Sequence, residues 1–176
     1  MDVFSHGLWT AAAYKGASIK TKKPFKIWWA VFFGLAPDLF SFGILFITRL
    51  VTGHLFKPEF IDDHGLHPEL VPNYIHTLYN WTHSLVIFGI AFLLIWAIRR
   101  KPFWELAAWG FHILSDIPTH TDAFFPTPFL WPISNYHVSV ISWASPAFFI
   151  PNYSILVLVY AVLFLVIRRK RRTGNG

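Results

Sequence analysis

The sequence predicts an all-α membrane protein, a multi-pass transmembrane helical bundle of four to five membrane helices in a single domain over residues 1–176. Three observations carry that prediction. Hydrophobic residues make up 55% of the chain and charged residues only 14%, against roughly 25% charged in an average soluble domain. Three apolar runs each approach the roughly 20 residues that cross a bilayer core. Basic residues cluster beside those runs, at Lys15–Lys26, Arg99–Lys101 and Arg168–Arg172, leaving only Arg49 and Lys57 elsewhere. The chain has no Cys, which excludes disulfides, thiolate zinc sites, iron–sulfur clusters and Cys nucleophiles. Any metal must rest on His and carboxylate side chains.

In chain order, Asp2–Ala17 is moderately apolar and either spans or lies at the interface. Ile27–Val51 is a span interrupted only by Asp38 and Arg49. The segment 52–79 is an acidic, Pro-punctuated extracytoplasmic loop or lid; its His54, Asp62, Asp63, His64, His67, Glu69 and His76 read as a solvated cap in preference to a second metal cluster. Asn80–Ile98 carries no formal charge when His83 is neutral. Phe103–Ile117 is shorter and holds Glu105, His112 and Asp116, which suits a polar-faced helix between two spans. Phe148–Ile167 is the last span, and 168–176 is a basic tail. Cytoplasmic loops retain Lys and Arg, so all three basic clusters and the C-terminus belong inside. The tail then serves as a cytoplasmic anchor that attracts anionic lipid, and no nucleic-acid partner is expected. Trp28, Trp29, Trp81, Trp104 and Trp131 lie near run ends, as interfacial belts do.

The polar residues inside the apolar runs share a depth. Counting about 12–16 residues from the nearest basic cluster, at 1.5 Å per residue, Asp38, His83, His112 and Asp116 lie roughly 18–24 Å above the cytoplasmic boundary. That is the outer half of a core about 30 Å thick. His6 reaches the same level if Asp2–Ala17 enters from outside, which favours five helices over four. A carboxylate at such depth costs roughly 2.5–3.5 kcal/mol on insertion scales, and no Lys or Arg lies there to offset it. The available partners are imidazoles, and imidazole with carboxylate binds zinc or manganese. His112 and Asp116 are four apart, on one helix face. The expected metal ligands are His6, Asp38, His83, His112 and Asp116, with His120 just past Pro118 as an additional ligand and His137 a weaker one. Asp38 or Asp116 can alternatively act as general base. Pro37 should bend its helix and free backbone groups near the site. Thr82 and Ser84 flank His83, either fixing its tautomer from a second layer or capping and opening a helix.

Several stretches resemble one bacterial family: Ser5-His6-Gly7, Leu35-Ala36-Pro37-Asp38-Leu39, Trp81-Thr82-His83-Ser84-Leu85, Gly110-Phe111-His112-Ile113-Leu114-Ser115-Asp116 and Leu130-Trp131-Pro132. This order and spacing, over residues 5–132, is similar to the YdjM-type, LexA-regulated inner-membrane family of membrane-bound metal-dependent hydrolases. The resemblance implies a helical inner-membrane protein with metal-binding His and Asp residues and hydrolase activity. The chain departs from the family in having Phe40 where a second acid is common, and Tyr79-Asn80-Trp81 where His-Arg-Gly is common. More distantly, the order His, Asp, His, His-x-x-x-Asp is similar to the zinc phospholipase C and P1-nuclease group, which implies phosphoester chemistry.

The expected function is hydrolysis of a phosphoester or lipid-like amphiphile by water activated on a His/Asp-held metal, zinc or manganese. The expected partners are membrane lipid and a small amphiphilic substrate, with the site toward the outer face of the cell inner membrane. Two other readings use the same residues: a metal-ion or proton transporter, and a non-catalytic membrane protein tied together by its metal.

Overall fold

The computed structural model describes residues 1–53, 61–62, 65–66 and 71–172. Six α-helices carry nearly all of it: α1 (Val3–Thr21), α2 (Ile27–Val51), α3 (Asn73–Thr82), α4 (Leu85–Arg99), α5 (Ala107–Asp116) and α6 (Pro146–Arg172). A 3-10 turn at Trp104–Leu106 leads into α5. The other regular element is a two-residue antiparallel pairing of β1 (Ile61–Asp62) with β2 (Gly65–Leu66).

Large apolar side chains lie outside and polar ones inside. Trp28, Phe40, Ile47, Leu50, Leu93, Val157, Leu158 and Phe164 are exposed, while His6, Thr10, Asp38, Ser41, His83, His112, Asp116 and His120 are buried. A water-soluble fold does the reverse with charged residues, and an apolar surface of this extent marks a membrane or partner contact.

Two helices, α2 and α6, are long and apolar enough to cross a membrane. A third crossing arises if α3 and α4, bent by 56° at a short break, count as one span. Among the described residues two or three spans are thus long and apolar enough, which does not confirm the expected four to five. The reason is length and composition. The ten residues of α5 rise only about 15 Å, half the core. Helix α1 has the length, at 19 residues, but mixes Lys, Ser and Thr into its apolar positions and falls short on hydropathy.

The expected run Asn80–Ile98 is not one helix. Its first residues close α3, His83 is the C-cap of that helix, and Ser84 is the N-cap of α4, accepting from the Val86 and Ile87 N–H groups. The expected loop 52–79 is shorter too, because Asn73–Tyr79 belong to α3. Of the second metal cluster, His54, Asp63, His64, His67 and Glu69 lie outside the described residues. His76 stacks on Phe125 with ring centroids 4.7 Å apart.

Close backbone approaches set the helix packing. A Cβ on Gly34 would meet Thr10 Cβ of α1 at 3.1 Å, and one on Gly110 would meet the Phe88 ring of α4 at 2.6 Å. Helix α6 packs chiefly on α1, through a polar clasp. Asn152 accepts from Trp9 Nε1 and donates to Ser5 Oγ, both at 2.8 Å. The Tyr153 hydroxyl donates to Asp2 at 2.9 Å, and the Tyr160 hydroxyl to the Leu8 carbonyl at 2.9 Å. Partial burial works against the Asp2 charge, but hydrogen bonds from Ser5 and Tyr153 prevail and hold its carboxyl below the usual carboxylate value.

Candidate metal centre

Four helices deliver the centre. Asp38 follows Pro37 in α2, whose ring gives no N–H to the preceding turn. His83 sits at the break between α3 and α4. His112 and Asp116 come one turn apart from the end of α5. One donor atom from each of Asp38, His83, His112 and Asp116 lies within 4.8 Å of the others, and all four residues are buried.

The tautomers follow from the partners. His112 Nδ1 is 2.7 Å from the Gly34 carbonyl. His83 Nδ1 is 3.2 Å from the Tyr79 carbonyl and 3.0 Å from Thr82 Oγ1. A carbonyl only accepts, so both Nδ1 atoms are assigned the proton and both Nε2 atoms turn lone pairs inward. Those two Nε2 atoms are 3.1 Å apart. Either one ring takes a second proton or a cation lies between them.

The remaining contacts suit a cation. His112 Nε2 is 3.1 Å from Asp116 Oδ2 and 3.7 Å from Asp38 Oδ1; His83 Nε2 is 3.5 Å from each of the same two carboxylates. Ligands about 2.0–2.1 Å from a tetrahedral ion stand about 3.3 Å from one another, and these separations scatter around that value. Asp116 Oδ2 is buried and has no hydrogen-bond donor. The four residues can therefore hold a metal ion, with Thr82, Tyr79 and Gly34 orienting the two imidazoles from behind.

His6 stands apart from this group. Its ring stacks on His112 with centroids 3.6 Å apart, and its Nε2 lies 2.9 Å from Asp116 Oδ1, the other oxygen. His120 also faces Oδ1, with Nε2 at 3.5 Å. The Met1 amino group contacts Oδ1 as well and donates to Thr119 Oγ1 at 3.0 Å. His137 pairs with Asp122 on the surface, 2.7 Å away.

Both readings of Thr82 and Ser84 hold, one for each residue. Thr82 touches His83 Nδ1 and Ser41 Oγ, the latter at 2.8 Å. Ser84 caps α4 and donates to the Trp131 carbonyl. Tyr79 is a site residue the sequence did not single out. Its carbonyl orients His83, its ring stacks on His83 at 3.7 Å, and its hydroxyl donates to the Phe125 carbonyl at 3.0 Å beside His120 Nδ1. Its sequence signals were its place four residues before His83, one turn back on the same face, and its place in the Tyr79-Asn80-Trp81 stretch where the resembled family commonly has His-Arg-Gly.

A cleft of about 440 Å³ opens beside the centre, walled by Phe111 and Ser115 of α5 and Phe148, Pro151 and Ile155 of α6. Met1, whose amino group contacts Asp116, and Thr119, whose hydroxyl donates to the Ser115 carbonyl, also line it. Comparison of the chain with protein-family models, with curated proteins and with solved structures gives no match.

Proposed function

We propose that the protein is a multi-pass membrane hydrolase that uses a divalent metal, zinc or manganese, to cleave a phosphoester in a lipid-like amphiphile. The observation that supports this most is the pair of inward-facing Nε2 atoms, 3.1 Å apart, between two buried carboxylates. An ion held by these groups supplies Lewis acidity and a water nucleophile at neutral pH. The chain's own residues divide the remaining tasks. His83 and His112 are locked by carbonyls and present lone pairs in a fixed direction. The Asp116 side chain is fully buried and balances the ion's charge, whereas Asp38 keeps 8% of its side chain exposed. Asp38 is thus the carboxylate that can reach water or substrate, as a ligand of the ion or, alternatively, as the general base. The apolar cleft between α5 and α6 suits an alkyl chain. Phosphoester rather than amide cleavage rests on the likeness of the His, Asp, His, His-x-x-x-Asp order to the zinc phospholipase group. The hydrolase assignment itself rests on the YdjM-type resemblance.

The basic clusters support a C-terminus in the cytoplasm and a centre toward the outer face of the inner membrane. A transporter needs a polar path to the other side, and Glu105 is the acid placed to extend it. Its carboxylate accepts the Lys26 backbone N–H at 2.9 Å, so it tethers the start of α2. The test is metal analysis of purified protein beside His112→Ala, with cleavage of phosphoester amphiphiles in detergent before chelation, after it, and after metal add-back. Bound metal lost in His112→Ala, with turnover that follows the metal, is expected. Metal content unchanged in His112→Ala, or no metal-dependent turnover together with Glu105-dependent metal uptake into liposomes, overturns the reading.

A further inference from the structure

The two oxygens of Asp116 serve different imidazole pairs. Oδ2 faces His112 and His83 at 3.1 and 3.5 Å. Oδ1 faces His6 and His120 at 2.9 and 3.5 Å. The second pair is not a set of ordinary hydrogen bonds. His120 Nδ1 lies 2.8 Å from the Phe125 carbonyl, which assigns its proton there and leaves Nε2 a bare lone pair. That nitrogen is buried, has no hydrogen-bond partner and lies 3.5 Å from an anionic oxygen. His6 Nε2 is equally buried and, though 2.9 Å from Oδ1, does not align with it as a hydrogen bond. Two buried imidazole nitrogens without hydrogen-bond partners, both within 3.5 Å of one carboxylate oxygen, form a donor set that suits a cation.

We propose that His6 Nε2, His120 Nε2 and Asp116 Oδ1 form a second divalent-ion position, with Asp116 bridging it to the ion at Asp38, His83 and His112. The bridging role rests on the first position proposed above; the ligand set of the second does not. Two ions sharing one carboxylate stand about 3.5–4 Å apart, the spacing of two-metal phosphoester sites. The stacking of His6 on His112 holds the two halves in register. Helix α1, by this account, supplies its imidazole to the second ion and none to the first.

The test measures ion stoichiometry, not activity. Chelator-stripped full-length protein in detergent is titrated with Zn2+ alone, and separately with Mn2+ for electron paramagnetic resonance. Wild type is expected to take two ions per chain and to show a spin-coupled Mn2+ spectrum. His6→Gln and His120→Gln, which keep bulk and polarity, should each drop to one ion and give the uncoupled Mn2+ signal, with thermal melts showing that both variants remain folded. A wild type that binds one ion, lost in His112→Gln but kept in His6→Gln and His120→Gln, overturns the second position and leaves the hydrolase reading intact. A wild type that binds none overturns both.

Discussion

Asp116 carries more of the centre than any other residue, because each of its oxygens has two imidazoles to serve. Asp116→Asn keeps the shape and removes the charge. It should abolish metal binding and metal-dependent turnover together, measured by elemental analysis and by assay of the same preparation. Thr82 acts at one remove, through its contact with His83 Nδ1. Thr82→Val should weaken metal affinity about 10–100-fold, the usual cost of losing such an outer partner, as read by competition with a chelator. Asp38, His83, His112 and Asp116 are legible in the sequence because a titratable group inside an apolar run has to find a partner. Tyr79 is not legible in the same way. Its contribution comes from a backbone carbonyl and a ring face, which any aromatic residue could offer and which only the fold aims. His6 is legible as a metal-type residue but not as one apart from the other four, since depth along the bilayer says nothing about which oxygen of Asp116 it meets.

The helices depart from the expected spans where a cap or a face defeats a hydropathy average. Ser84 interrupts a run of apolar residues with a side-chain cap, and α4 restarts there at an angle. Ser84→Ala should cost about 1 kcal/mol for the cap alone, measured by thermal melting in detergent, and should loosen the Trp131 segment it also holds. The polar and apolar residues of α3 fall on opposite faces, so an average over a window of sequence hides the helix. The close approach of α1 to α2 at Gly34 makes a second prediction. A methyl at Gly34 would press on Thr10 and separate the helix bearing His6 from the one bearing Asp38. Overpacking of this kind costs about 1–3 kcal/mol, so Gly34→Ala should lower the melting temperature and reduce bound metal, although Gly34 offers no side chain to an ion.

Across the whole molecule, the inversion of polar interior and apolar exterior follows from composition, and so does the membrane reading. The proposed orientation rests on the basic clusters and is testable because the chain lacks Cys. Single cysteines at His64→Cys, Lys22→Cys and Arg172→Cys, probed in intact cells with an impermeant reagent, should label only at position 64; the opposite pattern would move the centre to the cytoplasmic side. One feature of the architecture bears on the order of events at the centre. His83 and Asp116 both stand at the carboxyl ends of their helices, α3 and α5. A helix gathers partial negative charge at that end, so two macrodipoles add to two carboxylates around the same point. Before an ion enters, the potential there repels a phosphate group; afterwards it can accept one. Binding should therefore be strictly ordered, with metal first and the anionic substrate second, and calorimetry of the stripped protein with a phosphate analogue should record no heat of binding until zinc is supplied.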